Sequence, residues 1–149
     1  RLTLRVRQIR CEANGINSYE LVDPSGAELP QVTAGAHVDV HLDGGIVRQY
    51  SLANDPAERH RYVIAVLRDD AGRGGSKAVH ASLKVSDLIT VSRPRNNFSI
   101  ASTATRHLLL AGGIGLTPLK AMAHHFERTG ADYVFHYCCK GADFAAFSQ

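Results

Sequence analysis

Between Leu108 and Phe126 the hydrophobic rhythm of the chain changes class, and that change limits the folds open to it. Leu108 to Ala111 is an unbroken apolar run, the pattern of a strand buried on both faces. Gly112-Gly113-Ile114-Gly115 follows at once, then Thr117 as the expected helix N-cap with Pro118 at the first helical position. Leu119, Met122, Ala123 and Phe126 fall at i, i+3, i+4 and i+7, one face of a helix that Gly130 should stop. Tyr133 to Cys139 is the next expected strand. Strand, glycine turn, helix and strand make one βαβ unit.

Upstream the rhythm is period two. Leu2, Leu4 and Val6 alternate with Thr3, Arg5 and Arg7, as in a half-buried strand. A second strand is expected over Ser18 to Val22, closed by the turn Asp23-Pro24-Ser25-Gly26. Val38, Val40 and Leu42 alternate with His37, Asp39 and His41; Asp43-Gly44-Gly45 tolerates positive φ, and Ile46 to Leu52 returns as a hairpin partner. Arg61 to Leu67 and Leu88 to Ser92 supply two more strands. A helix intervenes, with Ser76 as expected N-cap and Val79 and Leu83 on one face. Arg93 to Thr105 is a connector. The expected architecture is a six-stranded antiparallel β-barrel over residues 1–100, then the start of an α/β, Rossmann-like domain over 106–149.

Composition narrows the function classes. A net charge of +3, with arginines spread along the chain and no Trp, gives no nucleic-acid signature. The longest apolar run is far too short for a membrane span, and no secretory signal opens the chain. Cys11, Cys138 and Cys139 have neither disulfide nor metal-ligand spacing, and free thiols point to the cytoplasm. His124 and His125, adjacent on the expected helix, are ordinary surface or half-buried residues, and no metal site is expected. The chain opens on Arg1 and its single methionine is Met122, so the natural start is expected upstream.

Three stretches carry chemistry. Arg48-Gln49-Tyr50-Ser51-Leu52 puts a cation, an aromatic ring and a hydroxyl on one strand. A flavin needs such groups for its phosphate, its ring and its reactive nitrogen. Alternation sets Arg48 and Tyr50 on one face and Gln49 and Ser51 on the other, so a bulge or strand end must re-aim Ser51. An ordinary amphipathic strand would look the same. Gly72-Arg73-Gly74-Gly75-Ser76 opens a helix; its backbone can approach an anion closely, or it is a flexible surface loop. Gly112 to Pro118 follows a strand and opens a helix, the setting of a dinucleotide-binding turn, although no third glycine completes the Gly-x-Gly-x-x-Gly spacing. The order of the three is more specific than any one of them.

In that order the stretches resemble the phthalate dioxygenase reductase and vanillate demethylase reductase family, the reductases of Rieske-type oxygenase systems within the ferredoxin–NADP reductase superfamily. Pro94-Arg95-Asn96-Asn97-Phe98 is similar to the family's interdomain connector, and His136-Tyr137-Cys138 to its second nicotinamide-domain strand. The resemblance implies that residues 1–100 bind FMN and that residues 106–149 begin a nicotinamide-binding domain. It implies that Arg48 pairs with the flavin phosphate, Gln49 adjoins the site, Tyr50 packs on the isoalloxazine and Ser51 approaches N5. Backbone groups of Ala65, Val66 and Leu67 would meet the pyrimidine edge, and Gly74, Gly75 and Ser76 the phosphate. Gly113, Gly115, Thr117 and Pro118 would line the nicotinamide side, with Ser51 and Thr117 nearest the hydride transfer. NADH, or NADPH, would deliver hydride to FMN, and electrons would leave singly for an iron–sulfur centre and a Rieske-type oxygenase component. Lys140 stands where the family often has Arg, and the family's remaining nicotinamide strands and its [2Fe–2S] domain are not in these 149 residues. A stand-alone NAD(P)H flavin reductase and a non-enzymatic flavin-binding module are the other readings.

Overall fold

The structure is a computed structural model that describes residues 1–148; Gln149, the last residue of the expected 106–149 segment, lies outside the described residues. Among the described residues, eight strands and two α-helices run in the order β1 Leu2–Ala13, β2 Ile16–Val22, β3 His37–His41, β4 Val47–Ser51, β5 Tyr62–Leu67, α1 Gly75–Ser82, β6 Leu88–Val91, β7 Arg106–Gly112, α2 Leu116–Thr129 and β8 Asp132–Cys138. Six of the strands form one curled sheet in the order β4-β3-β6-β1-β2-β5, with every pairing antiparallel. Its two edges meet where Leu52 bridges Ile64 and the Ala53 N–H donates to the Val63 carbonyl at 2.8 Å. The curl closes into the expected barrel. β7 and β8 form a separate parallel pair joined by α2.

Period-two burial builds the barrel core. Leu4, Val6, Leu21, Val38, Val40, Ile64, Val66 and Val91 point inward and pack into one apolar cluster with Tyr19 and Tyr62. β1 runs on to Ala13, well past the alternating stretch that marks it in the sequence, with register shifts after Val6 and Cys11 that bend it around the curl. Polar pairing braces its outer surface. Glu20, buried on β2, accepts from Arg61 at 2.7 Å and from Arg7, and Arg61 also holds Glu58 at 2.8 Å.

Three local expectations are corrected. Leu109 and Ala111 are buried but Leu108 and Leu110 are 62% and 66% exposed, because α2 covers one face of the β7–β8 pair and leaves the other open. Thr117 is not the N-cap: α2 begins at Leu116 behind Gly115, Pro118 is its third residue, and the Thr117 hydroxyl donates to the Ile114 carbonyl at 3.2 Å. Proline remains tolerated there, since the first-turn N–H groups lack intrahelical partners. Ser76 is likewise not the cap of α1. Gly74 holds that position at φ 82°, where a side chain would be strained, and the Ser76 hydroxyl instead accepts the Asp69 N–H at 3.0 Å. The helix face of Leu119, Met122, Ala123 and Phe126 is buried as expected, and Gly130 ends the helix at φ 72°.

A second apolar cluster joins the two sheets. Leu109, Ala111, Leu119, Met122 and Phe126 pack with Ile16, Ala34 and Ala65 from the barrel. Gly35 marks the tightest point: a Cβ there would overlap the Phe98 carbonyl and lie 3.1 Å from Met122 Cε.

Candidate functional site

The seam between β4 and β5 gathers two of the three stretches. Arg48 reaches from β4 to the glycine loop before α1. Its Nη2 donates to the Arg73 carbonyl at 3.1 Å and its Nη1 to the Val47 carbonyl at 2.8 Å. The arginine stem lies directly on Gly75, where a Cβ would sit 2.6 Å from Arg48 Cγ. Residues far apart in sequence thus share one spot because position 75 has no side chain. The Ser76 hydroxyl, whose oxygen is taken by Asp69, retains its own proton. A guanidinium, a glycine turn and the start of α1 make a cationic cradle of the kind an anion needs.

Tyr50 lies one alternation on from Arg48, half-buried against the barrel core. Burial pushes its phenol upward, with the Arg48 charge opposing, so the ring is a neutral, apolar-backed surface. Gln49 is exposed on the other face of β4, opposite Asp39. Ser51 shares that face. The β3–β4 register is regular, so no bulge turns Ser51 toward Tyr50; it is instead the last residue of β4, next to the bridge to β5.

On β5 the three expected residues divide. Arg68 N–H donates to the Gly15 carbonyl at 2.8 Å, which fixes the parity of the β2–β5 ladder. By that parity Val66 exchanges hydrogen bonds with β2, while Ala65 and Leu67 turn their backbone groups to the opposite edge. The Val66 carbonyl also meets His80 Nε2 at 2.8 Å, and His80 Nδ1 lies 3.4 Å from Asn17 Nδ2. His80 therefore ties α1 to β5. Sequence reading missed it; its position four residues after Ser76, next to the inward Val79, was the available signal.

Gly113–Gly115 forms a 3-10 turn beside β5, so the third stretch borders the same strand. Among the described residues, and apart from the adjoining backbone, no heavy atom lies within 4 Å of where a Cβ would project from Gly112, Gly113 or Gly115, so the turn faces open space. Thr117 is buried and Pro118 half-buried behind it. Lys140 is exposed beyond the end of β8.

A half-open cavity lies elsewhere. About 460 Å³ is bounded by Glu12, Glu20, Glu58, Arg61, Lys120 and His124, among others, and by none of the expected flavin or nicotinamide residues. Lys120 Nζ approaches His124 Nε2 at 2.8 Å. Burial lowers both groups, and for His124 the Lys120 charge adds to it. His124 and His125 are both half-buried. Among the described residues no group of His, Cys, Asp and Glu is placed to hold a metal, and no helix is long and apolar enough to cross a membrane.

No family model matches the chain. It is 59% identical over 148 residues to the tert-butanol monooxygenase / tert-amyl alcohol desaturase reductase subunit of Aquincola tertiaricarbonis, covering 99% of this chain and 44% of that protein. It is 49% identical over 144 residues to vanillate O-demethylase oxidoreductase of a Pseudomonas species, covering 97% and 45%. Phthalate dioxygenase reductase, a modular structure for electron transfer from pyridine nucleotides to [2Fe-2S], superposes with a TM-score of 0.96 at 41% identity, over 98% of this chain and 46% of that one. The chain thus spans less than half the length of these relatives.

Proposed function

We propose that this chain, a homologue of oxygenase reductase subunits, is the flavin-binding barrel and the opening of the nicotinamide-binding layer of an NAD(P)H-dependent flavoprotein reductase. The observation that carries the reading is the Arg48–Gly75 contact, which builds a cationic cradle from the two stretches assigned to the flavin phosphate. The residues present fit that group: the guanidinium and the backbone turn can share its oxygens, and a Cβ at Gly75 would displace the arginine. The flavin is FMN. Its phosphate is held by Arg48, Gly74, Gly75 and Ser76, its ring is backed by Tyr50, and its pyrimidine edge meets the outward backbone of Ala65 and Leu67.

When bound, FMN supplies the two-electron-to-one-electron conversion, accepting hydride at N5 and releasing electrons singly. The protein supplies position. Ser51, at the seam, offers its hydroxyl to N5. Gly113, Gly115, Thr117 and Pro118 border the face that NADH approaches. A [2Fe–2S] centre, which none of these residues would hold, would take the electrons one at a time toward a Rieske-type oxygenase component. The free, exposed thiols of Cys11, Cys138 and Cys139 suit a cytoplasmic setting.

Titration of the purified chain with FMN and with FAD, followed by visible absorbance, tests the reading. FMN is expected to bind with a perturbed flavin spectrum. Arg48→Ala removes a charge-assisted contact worth about 1.5–3 kcal/mol, so its Kd should rise roughly ten- to hundredfold while the melting temperature holds. Full FMN occupancy in Arg48→Ala defeats the assignment.

A further inference from the structure

His37, buried at 6% exposure, opens β3, and its Nε2 is buried without a hydrogen-bond partner. A buried polar nitrogen left in that state is destabilising, a cost a phenylalanine of similar shape would not carry. The surroundings give the nitrogen a use. In the β3–β4 ladder His37 stands directly opposite Ser51. The Leu52 N–H donates to the Ala36 carbonyl at 2.9 Å, so the pair next door is the hydrogen-bonded one. His37 and Ser51 are therefore a non-hydrogen-bonded pair, with Cα atoms about 4.5 Å apart and side chains on one face at close range.

Burial, more than charge, disfavours the protonated ring. Two backbone hydrogen bonds, 2.8 and 3.0 Å, join His37 to Arg95, whose guanidinium binds Asp39 at 2.6 Å on the same face. Gln49 lies across from Asp39 and completes the surroundings. Burial lowers the imidazole, the Arg95 charge lowers it further, and Asp39 pulls the other way. A neutral imidazole has one N–H and one bare nitrogen.

We propose that His37 is a positioning residue for Ser51: Nε2–H donates to the serine oxygen when FMN is seated and so fixes where the serine proton points. The proposal rests on the flavin reading above. A serine hydroxyl with no such anchor rotates among three staggered directions, and only some of them aim its proton at N5. With its oxygen held from behind, the hydroxyl keeps its proton for the oxidised ring, whose N5 is an acceptor. Hydrogen bonds of this sort are often open in the unloaded protein and tighten when the ligand arrives.

The test compares FMN affinity in the oxidised and reduced states for wild type, His37→Phe and His37→Gln. His37→Phe keeps the bulk and loses the donor. It should weaken oxidised FMN relative to reduced FMN by about tenfold, which raises the two-electron midpoint potential by about 30 mV. His37→Gln keeps a donor and should stay near wild type. An unchanged ratio in both variants overturns the proposal and leaves His37 as core filling, a role that would move the melting temperature alone. If His37→Phe does not fold, the cycle of His37→Leu, which also lacks the donor, with Ser51→Ala decides: coupled effects on the potential support the contact, and additive effects overturn it. Failure of wild type to bind FMN at all defeats the flavin reading and this inference together, a result distinct from FMN binding with an unmoved potential.

Discussion

The barrel and the β7–β8 layer differ in how completely each encloses its own hydrophobic surface. The six strands of the barrel curl until β4 and β5 meet, and their inward residues are sealed. The second layer has two strands, one helix and an open face on which Leu108, Leu110 and Val134 are exposed. It keeps its place by borrowing Ile16, Ala34 and Ala65 from the barrel. The proposed flavin contacts lie wholly on the closed region, whereas the nicotinamide turn lies on the open one. Binding of the first cofactor and reaction with the second should therefore separate.

The largest effect should appear in that separation. The 149-residue polypeptide should bind FMN and be photoreduced normally, yet bleach with NADH several orders of magnitude more slowly than the longer relatives it matches. Correct positioning of two reactants is worth effective molarities of about 10⁵ M or more, and two strands give little of it. Rapid bleaching in a stopped-flow trace would mean that the turn at Gly113–Gly115 suffices. Next in size, Phe126→Ala should remove about 3–5 kcal/mol from the second cluster, where Phe126 stacks on His107 at 4.2 Å and packs against Tyr133. Calorimetry should then show two transitions, with FMN still bound after the first. A single lowered transition that releases FMN would show the borrowed residues welding both layers into one unit. The smallest effect belongs to the open face. Leu108→Thr with Leu110→Thr should shift stability by no more than about 0.5 kcal/mol per site, and a concentration-dependent larger loss would reveal a cover on that face.

The barrel was legible because its inward residues recur every second position, and the helix face of Leu119 to Phe126 because it recurs with the helical period. Leu108 to Leu110 misled for a physical reason: an apolar run records what a strand could bury, and burial depends on what else is present to cover it. The caps misled because a glycine at φ 82° ends a chain segment as well as a serine does, which left Ser76 free to hold Asp69. Within the site, sequence order singled out Arg48, Tyr50 and the glycine loop, and the structure adds that Arg48 and Gly75 touch. The part played by His37 was hidden, since alternation showed its face but not its pairing with Ser51. Register is a long-range property, set by the turn and by the neighbouring strands together.

β5 has two owners. Tyr62, Ile64 and Val66 belong to the barrel, while Ala65 between them belongs to the layer of β7 and α2, and Val63 borders the cavity on that side. For anyone splicing this barrel to a different nicotinamide layer, the cut cannot be made at a point along the chain. Even-numbered positions of the strand would have to travel with the host and odd-numbered ones with the graft. A chimera joined only through the connector after Pro94 would carry an Ala65 shaped for a partner it no longer has.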